Sequence, residues 1–247
     1  GQMDLISEFA YRLPVRVICD MLGIPEEDRE PFYASSRIGG RLLDPVPLSR
    51  AEVDESNAQN LGLADYFRKL FELRRRQPGD DLTTQLVQAE EEGSKLSEEE
   101  LTANIILLFG AGHETTVNLI GNGLLALHRN PDQLELLKNN PGLITNAIEE
   151  LLRYDSSVQL TGRTALEDVD VSGTLIAKGE AVLSLLVAAN RDPAVYPDPD
   201  RLDITRPNVR PLSFGGGIHF CLGAQLARIE GEVAINTLLK RLPDLKL

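Results

Sequence analysis

Apolar side chains recur along this chain mostly at helical spacing. Leu5, Phe9, Leu13, Val17 and Met21 return every four residues, with Ile6 and Ile18 widening the stripe, and this predicts helix over 4–22. Pro14 is expected to divide that segment in two. Gly23-Ile24-Pro25 ends it, Glu26 to Arg37 reads as a short helix, and 39–49, with two glycines and two prolines, reads as a loop. Helical spacing resumes from Ala51 to Arg76 through Leu61, Ala64, Phe67, Leu70, Phe71 and Leu73. Pro78-Gly79-Asp80-Asp81 stops it, and a helix from Leu82 to Ala89 follows. The acidic stretch 88–100 reads as a solvated turn. Ser97 and Glu100 have the spacing of a capping box, which opens one long helix over 98–128. Further helices are expected at 131–139, 141–154 and 222–242. Residues 169–187, rich in Val, Ile and Leu with turns at Ser172-Gly173 and Lys178-Gly179, read as two or three short strands. Five prolines make 190–213 an ordered irregular loop. The fold class expected is mainly α with a small β region.

The long apolar stretch Ile105 to Leu127 invites a membrane reading. It contains His113, Glu114, Thr115, Thr116, Asn118 and Asn122, and a carboxylate at mid-helix costs about 2.5–3.5 kcal/mol on the insertion scale. No membrane span is expected in this chain. The opening Gly1-Gln2-Met3-Asp4 does not read as a signal peptide. A composition that is 42% apolar and 26% charged over 247 residues belongs to a folded protein. A net charge of −13 gives no basic footprint for phosphates, so no nucleic acid is expected as a partner. The only cysteines, Cys19 and Cys221, rule out a disulfide framework and favour a reducing, cytoplasmic compartment.

Three local patterns depart from what packing alone requires. Ala111-Gly112-His113-Glu114-Thr115-Thr116 puts a glycine and adjacent threonines inside an apolar helix, against propensity. Two small residues on one face admit either a flat ligand or a crossing helix, and a threonine hydroxyl at 115 is within reach of the carbonyl at 111. Phe214 to Gly223 carries three consecutive glycines and Cys221 immediately before a helix, a place that favours thiolate; a buried structural cysteine is the alternative. Glu150 and Arg153 form an i, i+3 pair, ordinarily surface decoration.

Together these patterns resemble the cytochromes P450, the haem-thiolate monooxygenases. Ala111 to Thr115 match the family's (A/G)-G-x-(E/D)-T, and Glu150 and Arg153 match E-x-x-R. Phe214, Gly217, His219, Cys221 and Gly223 match F-x-x-G-x-(H/R)-x-C-x-G at every fixed position. Pro199-Asp200-Arg201-Leu202 is similar to P-x-R-F, with Leu for Phe. The resemblance covers essentially all of residues 1–247 and implies a single P450 domain fragment, the C-terminal haem-binding portion of an incomplete P450 fold. It implies haem b with Cys221 as the axial ligand of the iron. His219 and Arg163 would bond the propionates, Ala111, Gly112 and Thr115 would line the oxygen side, and Phe214, Gly217 and Gly223 would shape the cysteine loop. Glu114 and Thr115 become an acid–alcohol proton relay; Glu150, Arg153 and Arg201 become a structural network. His113 and His128 are expected to be a packing residue and an exposed one. The implied activity inserts one oxygen atom of O2 into a lipophilic substrate, with electrons from NAD(P)H through a ferredoxin reductase and a ferredoxin. Two rivals are a peroxide-driven peroxygenase, disfavoured by the Glu114-Thr115 pair, and an inactive homologue acting as an auxiliary partner, disfavoured by Cys221.

Overall fold

The computed structural model describes residues 1–30, 32, 47–91 and 96–246, with the side chains of Glu90 and Glu91 excepted. The loop expected at 39–49 and the second half of the helix expected at 26–37 fall largely outside the described residues. The chain divides into two compact units, Gly1–Val117 and Asn118–Leu247.

In the first unit, a π-helical turn at Ile6–Ala10 runs into α1 (Arg12–Met21). The segment is in two elements as expected, but they meet at Tyr11; Pro14 lies three residues on, in the first turn of α1, where a missing N–H costs least. Then come a 3-10 turn (Glu26–Asp28), α2 (Arg50–Arg76), α3 (Leu82–Glu91) and α4 (Glu98–Ala111). Capping boxes open α2 at Ser49 and Glu52 and α4 at Ser97 and Glu100. α2, α3 and α4 pack on one another. Their buried faces join α1 in a core containing Val15, Ile18, Leu22, Phe67, Phe71, Leu101, Ile105 and Phe109. Phe32 stands edge-on to Tyr66 and Phe109, each 5.0 Å between ring centroids.

The helix expected over 98–128 is two helices. α4 ends at Ala111, Gly112 and His113 form a turn, and α5 runs Glu114–Arg129 into the second unit. The second unit continues with α6 (Pro131–Asn139), α7 (Ile144–Tyr154), β1 (Leu160–Thr164), β2 (Val169–Val171), β3 (Thr174–Ile176), β4 (Ala181–Leu185), a single turn α8 (Leu186–Ala189) and α9 (Ala224–Arg241). The strands form two antiparallel pairs, β1 with β4 (Leu160 opposite Leu185) and, between them in the chain, the hairpin β2 with β3 (Val169 opposite Ile176). β1 was missed by the sequence reading: Leu-Thr-Gly-Arg-Thr has no apolar alternation, and only its β4 partner makes it a strand. α5, α7 and α9 carry the core of this unit. Gly231 lets α9 close on them, since a Cβ there would stand 3.0 Å from Leu119 Cδ2 and 3.2 Å from Ile148 Cδ1. His128 is half-buried rather than exposed, bonded to the carbonyls of Leu124 (2.8 Å) and Leu245 (3.1 Å). Among the described residues, no helix is long and apolar enough to cross a membrane.

Candidate functional site: a cysteine loop and a broken helix

The cysteine loop is assembled from both sides. Residues 212–214 form one 3-10 turn and 217–219 another; Gly215 (φ +69°), between them, and Gly217 (φ +61°), which opens the second, adopt backbone that a side chain disfavours. The Cys221 amide donates to the Phe214 carbonyl at 2.9 Å, closing the loop. Cys221 lies three residues ahead of α9, its carbonyl accepting from the Ala224 amide (3.3 Å), so it precedes the helix rather than heading its first turn. Its thiol is exposed, unlike that of Cys19, which is buried and pushed up to about 11 by desolvation. Ile218, Phe220 and Leu222, 98%, 55% and 87% exposed, surround Cys221 in sequence with an uncovered apolar collar. His219 and Gly223 are exposed on the same loop. Arg163 is also exposed; its Nη1 donates to Thr161 Oγ1 (2.7 Å) and the Gly162 carbonyl (2.6 Å), both neighbours on its own strand.

Behind the loop, Glu150 and Arg153 are both completely buried and bonded in a fork, at 2.7 and 2.8 Å. All five N–H groups of Arg153 are used, the rest going to the carbonyls of Asn190 (3.0 Å), Pro199 (2.8 Å) and Arg201 (3.2 Å). The side chain expected to complete this network was that of Arg201. The structure puts Arg201 on the surface and brings only its carbonyl to the network. The second guanidinium is that of Arg206, which meets Glu150 at 3.3 Å and collects the carbonyls of Pro197, Asp198 and Arg201. Two positions favour Arg206: Leu202 and Ile204 are buried, so the backbone turns 206 inward and 201 outward. Asn190 was missed as well. Its amide donates to Ser213 Oγ (3.0 Å), its carbonyl oxygen accepts from the Leu212 amide (2.7 Å), and Ser213 Oγ donates to the Leu152 carbonyl (2.8 Å). The irregular loop, α7 and the start of the cysteine loop are thereby tied together. Five scattered prolines signalled that the loop was ordered; nothing in the sequence signalled which of its polar groups were buried.

In the first unit, the break in the long helix is built from side chains that replace helical bonds. Thr115 Oγ1 donates to the Ala111 carbonyl at 3.3 Å. His113 Nδ1 donates to the Phe109 carbonyl at 2.7 Å, which puts the ring proton on Nδ1 and leaves Nε2 a buried acceptor without a hydrogen-bond partner. The His113 ring packs against Phe109 and edge-on to Tyr11, and desolvation holds its pKa below 6.5. A Cβ on Gly112 would stand 2.7 Å from the Leu108 carbonyl and 3.0 Å from Ile18 Cδ1. Between the flat ligand and the crossing helix, the missing side chain of Gly112 is explained by the crossing helix, α1. Ala111 is exposed, and Glu114 and Thr115 are half-exposed.

With this geometry in hand, the comparisons identify the class. The chain belongs to the cytochrome P450 family, whose model matches residues 57–243, a span that runs through both units. It is 50% identical to a vitamin D(3) 25-hydroxylase of Pseudonocardia autotrophica, over 100% of this chain and 60% of that protein. It is 47% identical to a biotin biosynthesis cytochrome P450 of Bacillus subtilis, over 100% of this chain and 62% of that protein. Among solved structures, P450BioI in complex with acyl carrier protein carrying hexadec-9Z-enoic acid is similar with a TM-score of 0.94 and 46% identity. That match covers 99% of this chain and 63% of that one. The chain thus spans about three fifths of the length of the curated relatives it matches.

The family's haem fits the donors present. Cys221 is one soft, accessible sulfur, and among the described residues no group of three His, Cys, Asp or Glu side chains converges to hold a bare metal ion. One exposed thiol donor, with the exposed apolar Ile218, Phe220 and Leu222 beside it in sequence, suits an apolar macrocycle that brings the other ligands of its metal.

Proposed function

We propose that the protein is a haem-thiolate monooxygenase that inserts one oxygen atom of O2 into a lipophilic organic substrate, and that residues 1–247 all belong to one P450 domain. The single observation that carries this reading is the exposed Cys221 thiol on a glycine-built loop among uncovered apolar side chains. Bound haem supplies the electron-transfer and oxygen chemistry that no side chain offers, and a thiolate ligand pushes electron density toward O–O cleavage.

The chain's own residues have distinct tasks in this reading. Cys221 would hold the haem iron through its sulfur, and the bond from its amide to Phe214 keeps the loop closed. Arg163 and His219 present donors to the two propionates. By the family's pattern, Ala111 would be a small residue leaving room for the cofactor and oxygen. Thr115 Oγ1 holds a proton there and Glu114 replenishes it, the pairing of a hydroxyl with a carboxylic acid that general acid catalysis uses. Glu150, Arg153 and Arg206 keep the cysteine loop and the preceding loop in register. Lipophilic substrate chemistry is supported by two similar proteins, one a vitamin D(3) 25-hydroxylase and the other bound to acyl carrier protein carrying hexadec-9Z-enoic acid. Electrons from NAD(P)H through a ferredoxin and its reductase, and a cytoplasmic setting, complete the proposal.

The test is the spectrum of the reduced protein under carbon monoxide. The wild-type protein is expected to show a thiolate-type Soret band, and Cys221→Ser to lose it. A thiolate-type band that survives the substitution refutes the assignment.

A further inference from the structure

We propose that Arg228, held by Glu149, is a positioning residue for the thiolate: its guanidinium clamps the Phe214 ring and so fixes the loop that aims Cys221. The proposal rests on the reading of Cys221 as haem ligand.

Backbone bonds close the loop at Gly215, Phe220 and Cys221, but side chains do little within it. Gly215, Gly216 and Gly217 are consecutive; a Cβ on Gly216 or Gly217 would meet nothing within 4 Å, and two of the three sit at positive φ. Backbone of this kind has the most conformational freedom to lose, so its geometry depends on fixings outside it. Phe214 is where such a fixing attaches. Its carbonyl takes the Cys221 amide, and the Arg228 guanidinium carbon lies 4.4 Å from its ring centroid. Arg228 is not free to wander. Its Nε bonds Glu149 Oε1, its Nη2 bonds Glu149 Oε2 at 3.2 Å, and its Nη1 donates to the Ala224 carbonyl at 3.2 Å.

The arginine is thus pinned by a two-pronged bond from α7 and by the first turn of α9, with its flat face left for the ring. Both charged side chains are about four-fifths buried, with 23% and 19% exposure, so the pair is not an ordinary solvent-screened surface bridge. On the other side of Phe214, Ser213 is tied to the Leu152 carbonyl. Glu149 and Leu152 come from the same helix as the buried Glu150 and Arg153. α7 therefore grips the loop twice, once through Ser213 and once through Arg228. A stacked cation gives the ring a defined orientation that shape-filling alone does not.

The experiment compares full-length, haem-loaded wild type with Arg228→Leu, Arg228→Lys and Phe214→Leu. One readout is hydrogen exchange across 214–221; the other is how fast the thiolate-type carbonyl band converts to the thiol type. Arg228→Leu is expected to speed exchange in 214–221 about tenfold, the factor a partly desolvated contact of this kind is worth, while 234–239 in α9 stays unchanged. Band conversion should accelerate in parallel. Arg228→Lys keeps the charge without the planar fork and is expected to restore less than half of the protection. Should Arg228→Leu not fold, Phe214→Leu removes the ring while leaving the ion pair, and must raise exchange in the same segment. Unchanged exchange in 214–221, a rise shared equally with 234–239, or full rescue by Lys overturns the clamp. Failure of the haem reading shows separately, as a thiolate-type band that persists in Cys221→Ser.

Discussion

His113 shows how one side chain can be over-determined by its neighbours. Its Nδ1 proton is committed to the Phe109 carbonyl, its ring packs against Phe109 and Tyr11, and Nε2 is buried without a hydrogen-bond partner from the described residues. Protonating Nε2 would place a cation in that setting, which is why its pKa lies below 6.5 in the folded chain. The consequence for stability has a definite sign. At pH above 6.5 the ring is neutral folded and unfolded and contributes no pH dependence. As pH falls below 6.5 the unfolded chain takes up a proton that the folded chain refuses, so stability declines until the depressed folded value is passed. The slope from this group approaches about 1.4 kcal/mol per pH unit at most. Denaturant melts of wild type and His113→Phe between about pH 7 and 5 isolate it. The variant should lose less stability over that interval; parallel curves would mean that His113 is solvated.

Among elements, the irregular loop 190–211 owes its shape to α7. A loop of that length cannot satisfy its own carbonyls in the interior, and Arg153 and Arg206 collect those of residues 190, 197, 198, 199 and 201 while sharing Glu150 as counter-ion. Truncating one partner of such a buried set leaves an uncompensated charge. Arg153→Ala is therefore expected to cost about 3–5 kcal/mol, and Arg206→Ala, with Arg153 still opposing Glu150, somewhat above about 1 kcal/mol. Arg201→Ala should stay within about 0.5 kcal/mol, because its side chain is exposed and the substitution retains the backbone groups it bonds with. Melts of the three variants at one denaturant series check the ranking. An Arg201→Ala as damaging as Arg206→Ala would return the sequence's candidate to the network.

Across the molecule as a whole, the two cysteines are the most direct probe of cofactor binding. Cys19 is fully buried with its thiol pushed up to about 11, while Cys221 is exposed. Alkylation at about pH 8 depends on thiolate and access, so haem-free protein is expected to incorporate label at Cys221 and not at Cys19. Haem loading should abolish that incorporation and raise the melting temperature by mass action. Labelling of Cys221 at the same rate with and without haem would separate the cysteine from the cofactor. The measurement is peptide mapping by mass spectrometry.

What the amino-acid sequence determined by itself is local and chemical. Apolar spacing placed most of the helices, Ser97 and Glu100 announced their cap, and the glycine-rich run around Cys221 announced a loop built to present a thiol. These were legible because each depends on residues within a few positions of one another. Tertiary structure decided everything that depends on what lies opposite. It ended one helix at Ala111 and began the next at Glu114, with Ile18 of α1 packed 3.0 Å from where a Gly112 Cβ would stand, and made a strand of Leu160–Thr164 by giving it β4 to pair with. It chose Arg206 over Arg201, since only the course of the loop determines which guanidinium reaches Glu150. It also set Arg228 over Phe214, fourteen positions away in sequence, and Glu149 behind it. Spacing along a chain encodes periodic contact within an element; the partner of a buried charge or ring is selected by burial itself, which exists only once the elements have packed.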